Sequence, residues 1–355
     1  MMKTMKYATP ILLALGAILM LTACSNDSEQ DSDSNEIRLL VGMENTIRVT
    51  RAAHNLQLNP QDDYEQFGVF VFNTGYTAIN ENYGQVNIKP TGATDNTTNK
   101  KLEFTPALHF PISGGNVDVY VYAPWADGLT NVAAIPFTVA ADQTTDANFL
   151  ASDFVFGKAT AVYTGDKTAA VTMHHALTKL TFKIDDVGNG TDASGVTAIN
   201  LLNIFKKVTV DMTAELNNIA PWLTKGYNVT TSSDNNDKGN ISVADNTDGH
   251  LYDHVRPQKL GDGDEIGSGV SAIIPAQSLP LTEGGPKVAV TIDGKTKDAF
   301  LGSSELLEYN PGYEYVYTLN IKSQDVIIVA VSITPWVTDT QYRDLDFTPD
   351  TTPTP

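Results

Sequence analysis

The segment Asn116–Trp125, NVDVYVYAPW, decides the fold class, because valines alternate in it with larger or polar side chains. Three valines alternate with one aspartate and two tyrosines: Val117, Asp118, Val119, Tyr120, Val121 and Tyr122. Successive side chains of a β-strand point to opposite faces, so this alternation predicts a strand with one apolar face. The preceding segment Phe67–Gly75, FGVFVFNTG, is almost continuously apolar, which predicts a strand covered on both faces.

The same organisation extends outward from these two strands. Short apolar runs alternate with Gly, Asn, Asp and Pro clusters, and no amphipathic helical pattern exceeds three turns. We therefore predict an all-β chain. The Gly- and Asp-rich run 187–195 predicts a linker between two β-sandwich domains in tandem, residues 52–186 and residues 196–337. About 300 residues suit two such domains better than one.

The N-terminus predicts export. Residues 1–23 combine a basic head with the apolar run Ile11–Leu21, which is shorter than the roughly 20 residues of a membrane-spanning helix, so we interpret them as a signal peptide. Cys24 is the only cysteine and follows Leu-Thr-Ala, a sequence that resembles the bacterial lipobox. A lone cysteine excludes an intramolecular disulfide. Residues 24–51 then begin with a tether, which is acidic and lacks apolar side chains.

The formal net charge of −19 excludes one class of partner. Such an acidic surface repels the phosphate backbone, so we expect no nucleic-acid binding.

No catalytic motif occurs in the chain. The patterns GxSxG, HExxH, CxxC and the Walker loop are all absent. His174 and His175 are adjacent on a predicted strand, where neighbouring side chains point to opposite faces and do not readily bind one metal together. We therefore predict that the protein is not an enzyme and has no cofactor.

Two groups could in principle hold a metal ion. Asp262, Asp264 and Glu265 offer oxygen ligands but lack the EF-hand spacing, and an acidic turn needs no metal. His250 and His254 could share a short helical face. We predict no metal site, while calcium at the acidic turn stays an open alternative.

Aromatic side chains raise the alternative of sugar binding. The period-2 spacing of the tyrosines favours core packing over stacking on sugars. A surface-anchored glycan-binding lipoprotein that uses Trp125 or Trp222 stays a second hypothesis.

These features, taken in order, resemble the fimbrillin family of Bacteroidales, the major, Mfa-like and related type V pilus subunits. The resemblance rests on the lipobox and tether, a basic site at Arg51, and three later segments. Those segments are MHHALTKLTFKI, with His175, Leu177, Lys179 and Leu180 at its H-x-L-x-K-L positions, NPGYEYVYTLNI, with Tyr313, Tyr315 and Tyr317, and SITPW. The resemblance covers the whole chain.

The resemblance implies two transthyretin-like β-sandwiches and a role as a structural pilus subunit that supports adhesion. Such a subunit is lipidated at Cys24, held at the outer membrane, and cut between Arg51 and Ala52 by an arginine-specific protease. The removed strands would lie in residues 37–50, and a strand donated by another subunit would fill the opened groove. Arg48 stays an alternative cut. Partners would be further fimbrillin subunits, including tip and anchor subunits, and a host protein or glycan receptor.

The C-terminus predicts the donor strand. DVIIVAVSITPWV is a very apolar strand, and residues 338–355 form a tail rich in Pro and Thr. The donor positions are Val329, Val331, Ile333, Trp336, Leu345 and Phe347. The tail favours a stalk subunit, although its aspartates leave an adhesive tip subunit as an alternative.

Overall fold

The structure is a computed structural model, and the part described below belongs to the compact unit Glu36–Pro355. The structure describes residues 35–43, 50–51, 54–55, 63–80, 83–96, 99–185, 195–216, 226–247, 251, 255, 269–322, 325–336 and 343–346. The predicted signal peptide, Cys24 and most of the tether lie outside the described residues.

Strands dominate the first half of the chain, as predicted. In chain order they are β1 Arg38–Met43, β2 Thr50–Arg51, β3 His54–Asn55, β4 Gly68–Asn73, β5 Gln85–Ile88, β6 Gly92–Asn96, β7 Asn99–Glu103, β8 Val117–Ala123, β9 Ile135–Thr138, β10 Val155–Ala161, β11 Thr168–His175 and β12 Thr178–Asp185. A short helix, α1 Asp146–Ala151, begins after Thr145, whose hydroxyl accepts a hydrogen bond from the Asn148 N–H. One 3-10 turn spans Tyr64–Gln66.

The second half continues in the same way. Its strands are β13 Val196–Phe205, β14 Lys207–Leu216, β15 Gly226–Thr231, β16 Lys238–Asp245, β17 Val270–Ile274, β18 Lys287–Ile292, β19 Lys295–Phe300, β20 Tyr313–Lys322, β21 Asp325–Pro335 and β22 Arg343–Asp346. A second 3-10 turn spans Asn235–Asp237. The prediction of an all-β chain with two β-sandwiches in tandem is confirmed.

The first sandwich is one eight-stranded sheet in the order β5-β4-β8-β10-β11-β1-β7-β6. Strand β11 joins its two parts, because residues 168–173 pair with β1 and residues 174–175 pair with β10. Side chains from both parts fill a single core, which includes Leu39 of β1, Val71 of β4 and Val119 of β8. The sheet therefore closes around its own apolar face.

The second sandwich packs two sheets together. One has the order β17-β12-β20-β21-β22 and the other the order β16-β13-β18-β19. Their shared core includes Phe182, Val290 and Tyr317. Residues Thr178–Asp185 fall within the predicted first domain, residues 52–186, but as β12 they pair with β17 and β20 of this second sandwich. The domain limits 52–186 and 196–337 stay predictions.

The two sandwiches share apolar packing. All seven residues of β8 are buried. Its valines face the first core, whereas Tyr120 and Tyr122 belong to the second core, so both predicted faces of this strand are covered. The chain segment between β8 and β10 also contacts the second half of the chain, because its strand β9 pairs with β14. The junction between the two sandwiches therefore consists of side-chain packing and a pair of strands as well as the covalent connection.

Gly157 allows the close approach of β10 and β11. A Cβ atom at this position would collide with the backbone carbonyl of Thr172, which cannot move without disturbing β11. We predict that Gly157→Ala lowers the free energy of unfolding by about 3 kcal/mol, measured by urea denaturation. Gly92→Ala is the control, because its nearest contact would be Glu103 at 3.4 Å, which is ordinary van der Waals distance. Equal stability of the two variants would contradict this reading of the β10–β11 approach.

Candidate functional site

Strand β1 lies inside the first sandwich with a partner on each edge. It runs parallel to β11, with Leu39 beside Ala169 and Val41 beside Val171, and antiparallel to β7, with Leu39 opposite Leu102. The Ile37 N–H donates to the Leu108 carbonyl over 2.8 Å just before the strand. The strand thus occupies a groove whose two walls are β11 and β7.

The side chains of β1 alternate between the core and the outer face. Ile37, Leu39 and Val41 are buried, with 6%, 1% and 0% of their surface exposed. Arg38 is exposed and Leu40 is half-buried. Burial of such side chains stabilises a fold by about 1.5–3 kcal/mol each. Without β1, the groove would present an apolar trough and two rows of unpaired backbone groups.

The predicted maturation site follows β1 along the chain. Arg51 lies in β2, which forms a two-residue pairing with β3, and Arg51 is opposite His54. Ala52 and the alternative cut at Arg48 lie outside the described residues, as does Cys24. The position of Arg51 means that β1 lies entirely upstream of the predicted cut. The cleavage itself stays a prediction.

Five of the six predicted donor residues lie in the second sandwich. Val329, Val331 and Ile333 belong to β21, which pairs along its length with β20 and through residues 330–333 with β22. Val331 and Trp336 are each 1% exposed and belong to the subunit's own second core. Leu345 lies in β22, opposite Val331. Phe347 lies outside the described residues.

The H-x-L-x-K-L segment makes two buried polar contacts. His175 Nδ1 lies 2.9 Å from an Asp153 carboxylate oxygen, and Lys179 Nζ lies 3.0 Å from Glu314 Oε1. His174, the neighbour of His175, is half-buried, in keeping with the expectation that adjacent strand residues face opposite ways. Sequence reasoning missed Asp153, for which no local pattern gives a signal.

The His175 ring also stacks on Trp336. Their ring centres are 3.9 Å apart and the ring planes differ by 7°. Both residues occur in segments that carry the family resemblance, but the sequence gives no sign that the two segments meet.

The tyrosines predicted to pack in the core do so. Tyr313, Tyr315 and Tyr317 are each at most 1% exposed. The Tyr309 and Tyr317 hydroxyls are 2.6 Å apart. Burial raises the pKa of Tyr122 and of Tyr315 to about 12, so both phenols resist ionisation even in moderately alkaline solution. These rings are not available to stack on a sugar.

The described part of the chain shows no binding site at the residues that the sequence suggested for sugar or metal binding. Trp125 is half-buried, and Lys89 Nζ lies 4.9 Å from the centre of its ring. Trp222, His250, His254, Asp262, Asp264 and Glu265 lie outside the described residues. Within the described ranges, no group of three or more His, Cys, Asp or Glu side chains could hold a metal ion.

None of the helices in the described ranges combines the length and the apolar character that crossing a bilayer requires.

The tandem β-sandwich fold has known structural relatives. A solved structure described as a cell adhesion protein from Bacteroides uniformis is 15% identical, with a TM-score of 0.56, and the match covers 85% of this chain and 98% of that one. A second, from Bacteroides ovatus, is 15% identical, with a TM-score of 0.51 and coverages of 86% and 98%. At these identities the likeness shows the fold alone. No curated protein sequence matches the chain.

The family follows from the sequence match. A family model described as fimbrillin-like matches residues 50–336, which is most of the chain. The chain therefore belongs to the fimbrillin-like family, as the sequence resemblance predicted. This membership supports a role as a subunit of a surface pilus that associates with other fimbrillin subunits. It also indicates a structural role in place of a catalytic one.

The alternation of β1 gives a test of the groove. We predict that Leu39→Ala lowers the free energy of unfolding by about 2–5 kcal/mol, because it leaves a cavity in the first core. Leu40→Ala, on the half-buried outer face of the same strand, is the control and costs about 1 kcal/mol. Urea denaturation of the full chain measures both. A larger loss for Leu40→Ala would show that β1 does not have this register.

Proposed function

We propose that the protein is a pilus subunit that is exported as a lipoprotein, matured by cleavage after Arg51 and polymerised by donor-strand exchange. Residues 1–23 act as the signal peptide, and Cys24 carries the lipid that holds the precursor at the outer membrane. The mature subunit becomes part of an extracellular pilus that supports adhesion. Its mechanism is non-catalytic, and it requires no cofactor.

The observation that carries this proposal is the position of β1. The strand is hydrogen-bonded on both edges and fills the first core, yet it lies upstream of Arg51. A cut after Arg51 would leave β1 attached to the rest of the subunit only by non-covalent contacts. An incoming strand that restores the same backbone bonds and fills the same apolar positions would compensate for its loss.

The C-terminal segment has the pattern that such a strand needs. Along β1 and the residue before it, the buried positions are Ile37, Leu39 and Val41, at every second residue. Apolar side chains recur with the same spacing at Val329, Val331 and Ile333, and again at Leu345 and Phe347. We propose that this segment of one subunit enters the groove of the next, which requires the segment to leave its own sheet.

The partners follow from this mechanism. They are identical subunits along the filament, tip and anchor fimbrillins at its ends, and an arginine-specific protease. A host protein or glycan receptor would bind the assembled pilus.

Cleavage after Arg51 can be tested directly. We predict that Arg51→Gln blocks maturation, so that the surface protein retains β1 and forms no filaments visible by electron microscopy. N-terminal sequencing of the wild-type subunit from filaments should begin at Ala52. Arg48→Gln is the matched control and should mature normally. Filaments whose subunits begin at acylated Cys24 would refute the cleavage step and favour a permanently anchored lipoprotein.

Removal of the tail tests the donor role separately. We predict that deletion of residues 338–355 abolishes filaments or shortens them, because the deleted chain lacks Leu345 and Phe347. The cleaved subunit should remain folded, which circular dichroism checks. Leu345→Asp with Phe347→Asp places charges at the proposed buried positions and should act like the deletion. Thr351→Asp with Thr352→Asp adds the same charge farther along the tail and should not. Filaments of normal length from the deleted chain would assign the donor role elsewhere.

A further inference from the structure

Strand β11 touches both elements that the proposed exchange would move. Its residues 168–173 pair with β1, the strand proposed to leave. Two residues after that pairing ends, His175 stacks on Trp336. Trp336 follows β21 directly and precedes the C-terminal tail. One strand therefore contacts both the segment to be removed and Trp336, which lies within the segment to be donated.

The stack is held from both sides. Asp153 accepts a hydrogen bond from His175 Nδ1 over 2.9 Å, which fixes the imidazole ring. On the other side, the backbone N–H of Trp336 donates to the Gly312 carbonyl over 2.6 Å, and the backbone N–H of Gly312 donates to the Leu177 carbonyl over 2.7 Å. The backbone of Trp336, in the middle of the C-terminal segment, is thus linked through Gly312 to the chain that continues from β11.

The closed stack leaves polar atoms without hydrogen bonds. His175 Nε2 and Trp336 Nε1 are both buried and have no hydrogen-bond partner among the described residues. They cannot satisfy each other, because hydrogen bonds of both rings lie in the ring planes and these planes are nearly parallel. An unpaired buried polar atom is unfavourable, and opening the stack would expose both atoms to water. By contrast, the buried hydroxyls of Tyr309 and Tyr317 are bonded to each other.

We propose that His175 and Trp336 form a latch that keeps the C-terminal segment closed on its own subunit until β1 has left. The proposal rests on the proposed function, because it concerns the release of the donated segment. Aromatic stacking holds the latch closed, and the two unpaired nitrogens make it easier to open than the surrounding core. Loss of β1 removes the hydrogen-bond partner of residues 168–173 and so loosens the strand that carries His175.

Hydrogen–deuterium exchange of the full precursor tests the latch. Trp336→Leu removes the stack while His175 keeps its bond to Asp153. We expect amides of β21 and β22 to exchange roughly tenfold faster in this variant, with β13 and β18 unchanged. Trp336→Phe keeps a stacking ring but removes the unpaired N–H, so its β21 and β22 should exchange no faster than those of the wild type.

A matched control separates the latch from ordinary core packing. Phe182→Leu also replaces a buried aromatic that stacks on another ring, Tyr317, with centres 5.5 Å apart. It should raise exchange across the whole second sandwich. If Trp336→Leu gives that same uniform pattern, or leaves β21 and β22 unchanged, Trp336 is only a core residue and the latch is overturned. Cleavage of the wild type after Arg51 and removal of β1 should also speed hydrogen–deuterium exchange in β21 and β22. Unchanged exchange rates in these strands would show that β11 does not couple the loss of β1 to the latch.

Assembly of the cleaved subunit distinguishes this proposal from the proposed function. Light scattering should show Trp336→Leu polymerising roughly tenfold faster than the wild type, and Trp336→Phe polymerising no faster. If the cleaved wild type polymerises but Trp336→Leu has the same rate, the latch is wrong and strand exchange stands. If the cleaved wild type does not polymerise, the proposed donor-strand exchange is wrong. The hydrogen–deuterium exchange rates of the precursor still decide whether the stack holds the C-terminal segment closed.

Discussion

The backbone of β1 is hydrogen-bonded on both of its edges, and this constraint governs the first sandwich. A strand between two others cannot leave without exposing backbone donors and acceptors on both neighbours. Its alternate side chains also fill the core from Ile37 to Val41. The first domain is therefore complete only while some strand occupies this position. That requirement is the physical basis of the proposed strand exchange, in which a strand of a neighbouring subunit would replace β1.

The junction between the sandwiches depends on packing that both of them share. Strand β8 places valines in the first core and tyrosines in the second, so the second core is completed by side chains of the first sandwich. Strand β9, which comes from the first half of the chain, pairs with β14 from the second. In a filament, such a join would transmit force from one domain to the next through packed side chains and backbone hydrogen bonds.

The residues that carry the family resemblance turn out to serve packing and position. His175 and Lys179 each contact a buried or nearly buried carboxylate, and Tyr315 and Tyr317 lie inside the second core. Buried charges are tolerated when they are paired, whereas loss of one partner leaves the other strongly unfavourable. This explains why a histidine and a lysine in a strand need not indicate catalysis.

The sequence by itself determined the most apolar strands and their faces, because the pleat of a β-strand makes side chains alternate wherever the strand lies. It thus predicted the apolar face of Asn116–Trp125 and the buried tyrosines near Tyr315. Only the tertiary structure decided which strands pair. It assigned Thr178–Asp185 to the second sandwich, placed β1 between β11 and β7, and brought His175 against Trp336. Those contacts join residues far apart in the chain, and local periodicity carries no information about the partner.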